Sequence, residues 1–286
     1  MDSISDVPGG TVAPATIARQ FRTLFISDVH LGSKAAQADL LVDFMRFHTA
    51  PTIYLVGDIV DGWRLRRSWH WPASHNDVVQ KLLRQARKGS RIIYIPGNHD
   101  EFLRPFPGQH FGGIEVRVDD VFEAADGRRY LVIHGDEFDV VVRNARLIAY
   151  LGDWAYDAAI AVNHVFNRMR RWAGFPYWSL SSWAKLKVKN AVNFIGAFED
   201  ALAGEALRRG CQGVICGHIH HAAIAERAGI AYINTGDWVE SCTAIAERFD
   251  GTFEMIRWTG HGLNGVAGHE PEYEAEQGHE AAPVAA

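Results

Sequence analysis

Five short motifs of Asp, His and Asn, each placed directly after an apolar run, constrain this chain more than any other feature. They are Asp28-Val29-His30 after Phe25-Ile26-Ser27, Gly57-Asp58 after Tyr54-Leu55-Val56, and Gly97-Asn98-His99-Asp100 after Ile93-Tyr94-Ile95-Pro96. His134-Gly135-Asp136 follows Leu131-Val132-Ile133, and Gly217-His218-Ile219-His220 follows Val214-Ile215-Cys216. Apolar runs of this length, rich in β-branched and aromatic residues, read as buried strands. All five motifs therefore leave strand ends, where open α/β sheets build their sites. One histidine after a strand is more often a satisfied core residue, and a Gly-Asp pair occurs by chance. Five such motifs at strand ends point to one shared site. A carboxylate released by the Gly57 turn can offer one oxygen to each of two cations, which places Asp58 at its centre.

Apolar patterning along the rest of the chain predicts strands at 22–27, 52–56, 91–95, 114–118, 130–134, 213–216, 223–227, 230–235, 244–249 and 253–258. Strands 114–118 and 130–134 flank a turn at Asp126-Gly127. Helices are expected at 36–47, where Leu40, Leu41, Phe44 and Met45 recur at helical spacing, and at 74–88. Between them, 61–71 reads as a loop that mixes Trp63, Trp69 and Trp71 with Arg64, Arg66 and Arg67. Beside a metal site, Trp63 and these three arginines could hold an anionic, flat-ringed group by charge and stacking. The competing reading has the tryptophans packed beneath a neighbouring helix.

A chain of 286 residues suits one large α/β domain with an insertion. Residues 1–20 read as a disordered lead, 21–260 as the domain and 261–286 as a disordered acidic tail. The segment 141–198 departs from the alternation of strands and helices and reads as a helical insertion. It carries Arg143, Arg146, Arg168, Arg170, Arg171, Lys185, Lys187 and Lys189 against Asp153 and Asp157, with four of the nine tryptophans. That concentration of cations and amphipathic rings suits a surface facing anionic lipid. A solvated hairpin packed on the core is the alternative. A net charge of −5 argues against a nucleic-acid partner. Three cysteines without paired spacing read as reduced thiols in a cytosolic protein. No secretory signal pattern opens the chain, and no run of about 20 apolar residues offers a membrane span.

A donor set of Asp, His and Asn without thiolates suits two borderline divalent ions such as manganese, with iron or zinc as other occupants. The ordered motifs resemble those of the calcineurin-like metallophosphoesterase superfamily over 21–258. The resemblance implies an α/β sandwich of two mixed β-sheets flanked by helices, with a helical lid insertion at 141–198. It implies one metal held by Asp28, His30, Asp58 and His220, and a second by Asp58, Asn98, His134 and His218. His99 would neutralise charge on the phosphoryl oxygens, and Asp100 would orient His99. Ser27-Asp28-Val29-His30-Leu31-Gly32, the Trp63 segment and Thr235-Gly236-Asp237-Trp238 further resemble the UDP-2,3-diacylglucosamine pyrophosphatases of lipid A synthesis. This branch implies hydrolysis of UDP-2,3-diacylglucosamine to UMP and 2,3-diacylglucosamine 1-phosphate, by a protein peripheral on the cytoplasmic face of the inner membrane. That branch usually has Arg where this chain has His99. Another phospholipid or nucleotide phosphoester therefore stays open as substrate. A non-catalytic scaffold of the same fold is a further alternative, although scaffolds typically lose ligands and here each is present.

Overall fold

The computed structural model describes residues 18–138 and 195–260. Its first part runs β1 (Arg19–Gln20), β2 (Thr23–Ile26), α1 (Ala38–Phe47), β3 (His48–Thr49), β4 (Thr52–Val56), α2 (Gly62–Arg67), α3 (Ala73–Arg87) and β5 (Arg91–Ile95). Four strands follow: β6 (His110–Phe111), β7 (Ile114–Val116), β8 (Asp120–Glu123) and β9 (Arg129–Val132). A helix over 195–208, here α4, precedes β10 (Gly213–Cys216), β11 (Ala223–Arg227), β12 (Ile230–Asn234), β13 (Thr243–Glu247) and β14 (Phe253–Arg257). Most of the expected insertion 141–198 lies outside the described residues, as do 1–17 and 261–286. So do the insertion's eight cations and four tryptophans.

Two mixed sheets stack face to face. One has seven strands in the order β14-β13-β2-β4-β5-β7-β6, and the other has five in the order β11-β12-β10-β9-β8. Within the first, β2, β4, β5 and β7 run parallel. Within the second, β9, β10 and β12 do. Period-two alternation explains why both faces are apolar. Phe25, Tyr54, Val56, Ile93 and Ile95 meet Phe122, Tyr130, Val132, Ile215 and Ile233 between the sheets. Their neighbours Leu24, Ile26, Ile53, Leu55, Ile92 and Tyr94 face outward, where Leu41, Phe44, Val78 and Leu82 of α1 and α3 cover them. On the far side Phe198, Leu202 and Ala206 of α4 cover Leu131, Val214 and Tyr232.

Three local expectations change. The partner of β9 across Asp126-Gly127 is β8, not 114–118, because β7 pairs with β5 in the other sheet. Residues 61–71 are not all loop: Gly62–Arg67 is helical, with the Asp61 carboxylate accepting from Arg64 N–H at 2.8 Å as its N-cap. The lead ends earlier than 20, since Arg19 and Gln20 pair in parallel with His48 and Thr49.

The consequence for function is positional. β2, β4 and β5 of one sheet and β9 and β10 of the other all end at the same edge of the sandwich, and the five motifs follow those ends.

Candidate metal centre

The turns that carry the motifs are bent into conformations most residues avoid. Asp28, His30, Asp58, His218 and His220 all have φ between 49° and 73°. Left-handed backbone at a residue other than glycine costs on the order of 1 kcal/mol or more, and it persists only where the surroundings fix it. Here the turns hold one another: Asp28 N–H donates to Gly57 O at 3.0 Å, and His30 N–H to Asp58 O at 2.9 Å. Gly217 N–H donates to His134 O at 3.2 Å across the second sheet.

Each of the two carboxylates keeps one oxygen for the protein and offers the other. Asp28 Oδ2 accepts from Ser27 Oγ and, at 3.0 Å, from His218 N–H. Its Oδ1 has no hydrogen-bond partner and lies 3.3 Å from His220 Nε2. Asp58 Oδ1 accepts from His99 N–H at 2.8 Å, while Oδ2 faces His134 Nε2 at 3.4 Å and the Nε2 atoms of His30 and His99 at 3.9 Å. His30 Nε2 and His220 Nε2 approach to 3.3 Å, and the His134 and His218 rings to 5.1 Å. His134 Nδ1 donates to Val56 O at 2.9 Å, which turns Nε2 toward the centre.

Electrostatics follow the same geometry. Burial works against charge on His134, yet the Asp58 carboxylate beside it lifts the imidazole to about 10. Burial alone would raise Asp58, and His134, His99 and His30 outweigh it and hold the carboxyl well below its usual range. Asp28 is lowered by His220 and His134 against its own burial. An acid held ionised among imidazoles is a site prepared for a cation.

The residues fit divalent metal. Asp28 Oδ1, Asn98 Oδ1 and His134 Nε2 are buried without hydrogen-bond partners, an arrangement that costs free energy unless something ligates them. Among the described residues, three donor groups have their atoms within 4.8 Å of one another: Asp28-His30-His220, Asp58-His134-His218 and His30-Asp58-His99. Glycine is required where the donors crowd the backbone. A Cβ on Gly97 would stand 2.6 Å from His134 Nε2 and collide with Asp58 Oδ1, and one on Gly217 would collide with Asp28 Oδ2.

The structure thus gathers Asp28, His30, Asp58, Asn98, His134, His218 and His220 at one edge, with His99 against them. Asp100 takes a different place from the one expected. The carboxylate on His99 is that of Asp61, whose Oδ1 lies 3.0 Å from Nδ1. Asp100 is wholly buried and turned to the backbone of the Asp58 turn. Asp61 is the residue that motif reading missed. Its signal was its position three residues after Asp58 and three before Arg64, as a helix N-cap aimed back at the site. Trp63, at the start of α2, lies on His99 with ring centroids 4.3 Å apart. Arg64, Arg66 and Arg67 are exposed and make no ion pair among the described residues. Of the other two tryptophans, Trp71 packs on the helix-side core and Trp69 is 76 % exposed.

Two stacked mixed sheets with this carboxylate and imidazole set at their shared edge define a metal-dependent phosphoesterase architecture. The family model described as Calcineurin-like phosphoesterase matches residues 21–222, and the chain belongs to that family. Among curated proteins it is 28% identical over 237 residues to a UDP-2,3-diacylglucosamine hydrolase of Stenotrophomonas maltophilia, a match covering 78% of this chain and 93% of that one. A protein of the same name from Blochmanniella pennsylvanica is 27% identical over 116 residues, and there the match spans only 40% of this chain and 46% of the relative. Among solved structures, a Thermotoga maritima protein determined in solution is 14% identical and covers 83% of this chain and 99% of its own, with a TM-score of 0.40.

Proposed function

We propose that this chain is a two-metal hydrolase that cleaves the pyrophosphate of a nucleotide-activated lipid, UDP-2,3-diacylglucosamine, to UMP and 2,3-diacylglucosamine 1-phosphate. The observation that carries the metal chemistry is that Asp28 Oδ1, Asn98 Oδ1 and His134 Nε2, in three of the motifs gathered at one edge, are buried without hydrogen-bond partners. The substrate rests on the name of relatives that align along most of the chain.

Asp28, His30 and His220 would hold one ion, Asn98, His134 and His218 the second, and Asp58 both; manganese suits these nitrogen and oxygen donors. When bound, such ions supply an acidified water and positive charge against the phosphoryl group. The protein's own side chains do the rest. Asp61 accepts from His99 Nδ1–H and turns Nε2 toward the site; with both ring nitrogens protonated, Nε2–H donates to a phosphoryl oxygen as charge grows there. Trp63 backs the His99 ring and limits its rotation. Hydrolysis places the oxygen of water on one phosphorus and a proton on the phosphate released from the other. Arg64, Arg66 and Arg67, without carboxylate partners among the described residues, supply cationic contact for an anionic substrate.

Among the described residues no helix is long and apolar enough to cross a membrane. Contact with anionic lipid falls to the basic, tryptophan-rich segment 141–198, which gives a peripheral protein on the cytoplasmic face of the inner membrane. One feature favours a second substrate class, another phospholipid or a nucleotide phosphoester: the imidazole of His99 stands where the branch it resembles has Arg.

A panel of UDP-2,3-diacylglucosamine, CDP-diacylglycerol, a lysophosphatidic acid and bis-p-nitrophenyl phosphate, run with manganese, separates these readings. Highest kcat/KM on the first, with UMP released, is expected. Turnover confined to bis-p-nitrophenyl phosphate, or faster on another lipid, would overturn the lipid A assignment.

A further inference from the structure

Asp100 is among the most heavily hydrogen-bonded side chains of this molecule, yet it touches neither the substrate space nor His99. Its Oδ1 accepts from Gly97 N–H at 2.5 Å and Asp58 N–H at 3.3 Å. Its Oδ2 accepts from Ile59 N–H at 2.8 Å, Val60 N–H at 3.3 Å and Tyr94 Oη at 2.5 Å. The carboxylate therefore sits in a cradle of four amides and one phenol, fully out of water. Three consecutive amides converging on one anion form a nest, a concavity that favours negative charge.

We propose that Asp100 and Tyr94 act as a positioning pair that sets the spacing between the Asp58 turn and the Asn98 turn, and thereby the affinity of the second metal site. The inference rests on the two-metal reading above. Asp58 follows β4 and Asn98 follows β5, and nothing in the parallel ladder between those strands fixes where the chain goes after Val56 and Ile95. Asp100 does. It binds the amide of Asp58 itself, at a φ of 54° that its surroundings must impose, and also the amide of Gly97, immediately before Asn98. Gly97 is also where a Cβ would strike Asp58 and His134, so the tolerance for movement of this turn is small. Tyr94 supplies rigidity from below. Its ring belongs to the core under α1 and α3, and its hydroxyl reaches up to the same carboxylate. Apart from the Asp58 amide, whose carboxylate both ions would share, none of the five donors belongs to the turns of Asp28, His30 or His220, and Gly97 directly precedes Asn98, so the effect falls chiefly on the second site.

That asymmetry separates a positioning role from general support of the fold. In Asp100→Asn an amide NH₂ replaces one of the two acceptors and faces backbone donors. In Tyr94→Phe the ring stays in the core and only the fifth donor is lost. The test is a stepwise calorimetric titration of the full-length, chelator-treated protein with Mn(II), accompanied by electron paramagnetic resonance of the metal pair. Wild type is expected to take two equivalents and to show exchange coupling. Asp100→Asn is expected to keep the first equivalent and to bind the second about 10- to 100-fold more weakly, as typical for loss of a ligand's supporting partner. Coupling should then vanish at two equivalents and return with excess manganese. Tyr94→Phe should shift the second equivalent in the same direction by a smaller factor, and it decides the matter if Asp100→Asn does not fold. Variants that bind both equivalents like wild type, or that lose both together in step with the fraction unfolded, overturn the proposal. A wild type that takes up fewer than two equivalents overturns the two-metal reading itself.

Discussion

His99 and Asp58 stand 3.9 Å apart through Nε2 and Oδ2, close enough to share charge but with different tasks. Asp58→Asn removes the carboxylate both ions would share, and turnover should vanish while circular dichroism stays unchanged. His99→Ala should lower kcat by about 10²- to 10³-fold, the usual cost of one donor to developing charge, with manganese stoichiometry retained. If stoichiometry collapses with rate, His99 is a ligand. Asp61→Asn should reproduce part of that loss, because a neutral amide no longer offsets the charge of the doubly protonated His99 ring that donates from Nε2. The His134 proton gives a pH prediction with a definite sign. Its value in the folded, metal-free chain is raised above the ordinary 6.5 to about 10. In chelator-stripped protein this group's contribution to stability is therefore complete below about pH 6.5 and lost as pH climbs through about 10. Metal binding needs the neutral ring, so manganese affinity should rise with pH across that window and release at least one proton at pH 7.5. Calorimetry in two buffers of different ionisation heat counts that proton, and a count of zero would contradict the assignment.

The turns after the strands decide the site more than the strands do. All five ligand-bearing stretches were legible because each polar motif directly follows an apolar run, a local signal that survives without tertiary knowledge. The role of Asp100 was not legible. Adjacent sequence suggested a partner for His99, but the turn between β5 and the following segment carries Asp100 back under Gly97 and across to Asp58. No spacing rule encodes a hydrogen bond between two loops of neighbouring parallel strands. Strand β8 was missed for a different reason: of Asp120, Val121, Phe122 and Glu123 only Phe122 is buried, so the periodic signal rests on one residue. The tight approach at the turn glycines is testable. Gly97→Ala should fold, because the clash falls on side chains of the site and not on the core, but it should lose the second manganese equivalent. A variant with wild-type metal uptake would show that the turn yields more than its contacts imply.

At the scale of the whole molecule, the two sheets are joined at both ends, by the donor set at one and by a buried carboxylate at the other. Glu247 on β13 accepts from Arg22 Nη1 at 2.7 Å and Thr23 Oγ1 at 2.8 Å in its own sheet. It also accepts from Ala125 N–H, at the tip of the β8–β9 hairpin, at 2.8 Å. Glu247→Gln turns one acceptor into a donor beside two donors and should cost about 1–3 kcal/mol in chemical denaturation. Turnover should be untouched, since Glu247 pairs with Thr23 at the start of β2 and Asp28 follows its other end. The sandwich itself was expected from the family that the ordered motifs resemble. Which strands entered which sheet was not legible, because alternation marks faces and leaves partners unspecified. The measurement that bears most directly on the account is phosphorus nuclear magnetic resonance of UDP-2,3-diacylglucosamine with chelator-treated, full-length protein, before and after manganese is restored. The account predicts an unchanged pyrophosphate spectrum before, and afterwards its conversion to UMP and a sugar 1-phosphate that saturates at two equivalents of metal. A folded protein that takes up manganese and leaves the pyrophosphate intact would contradict it.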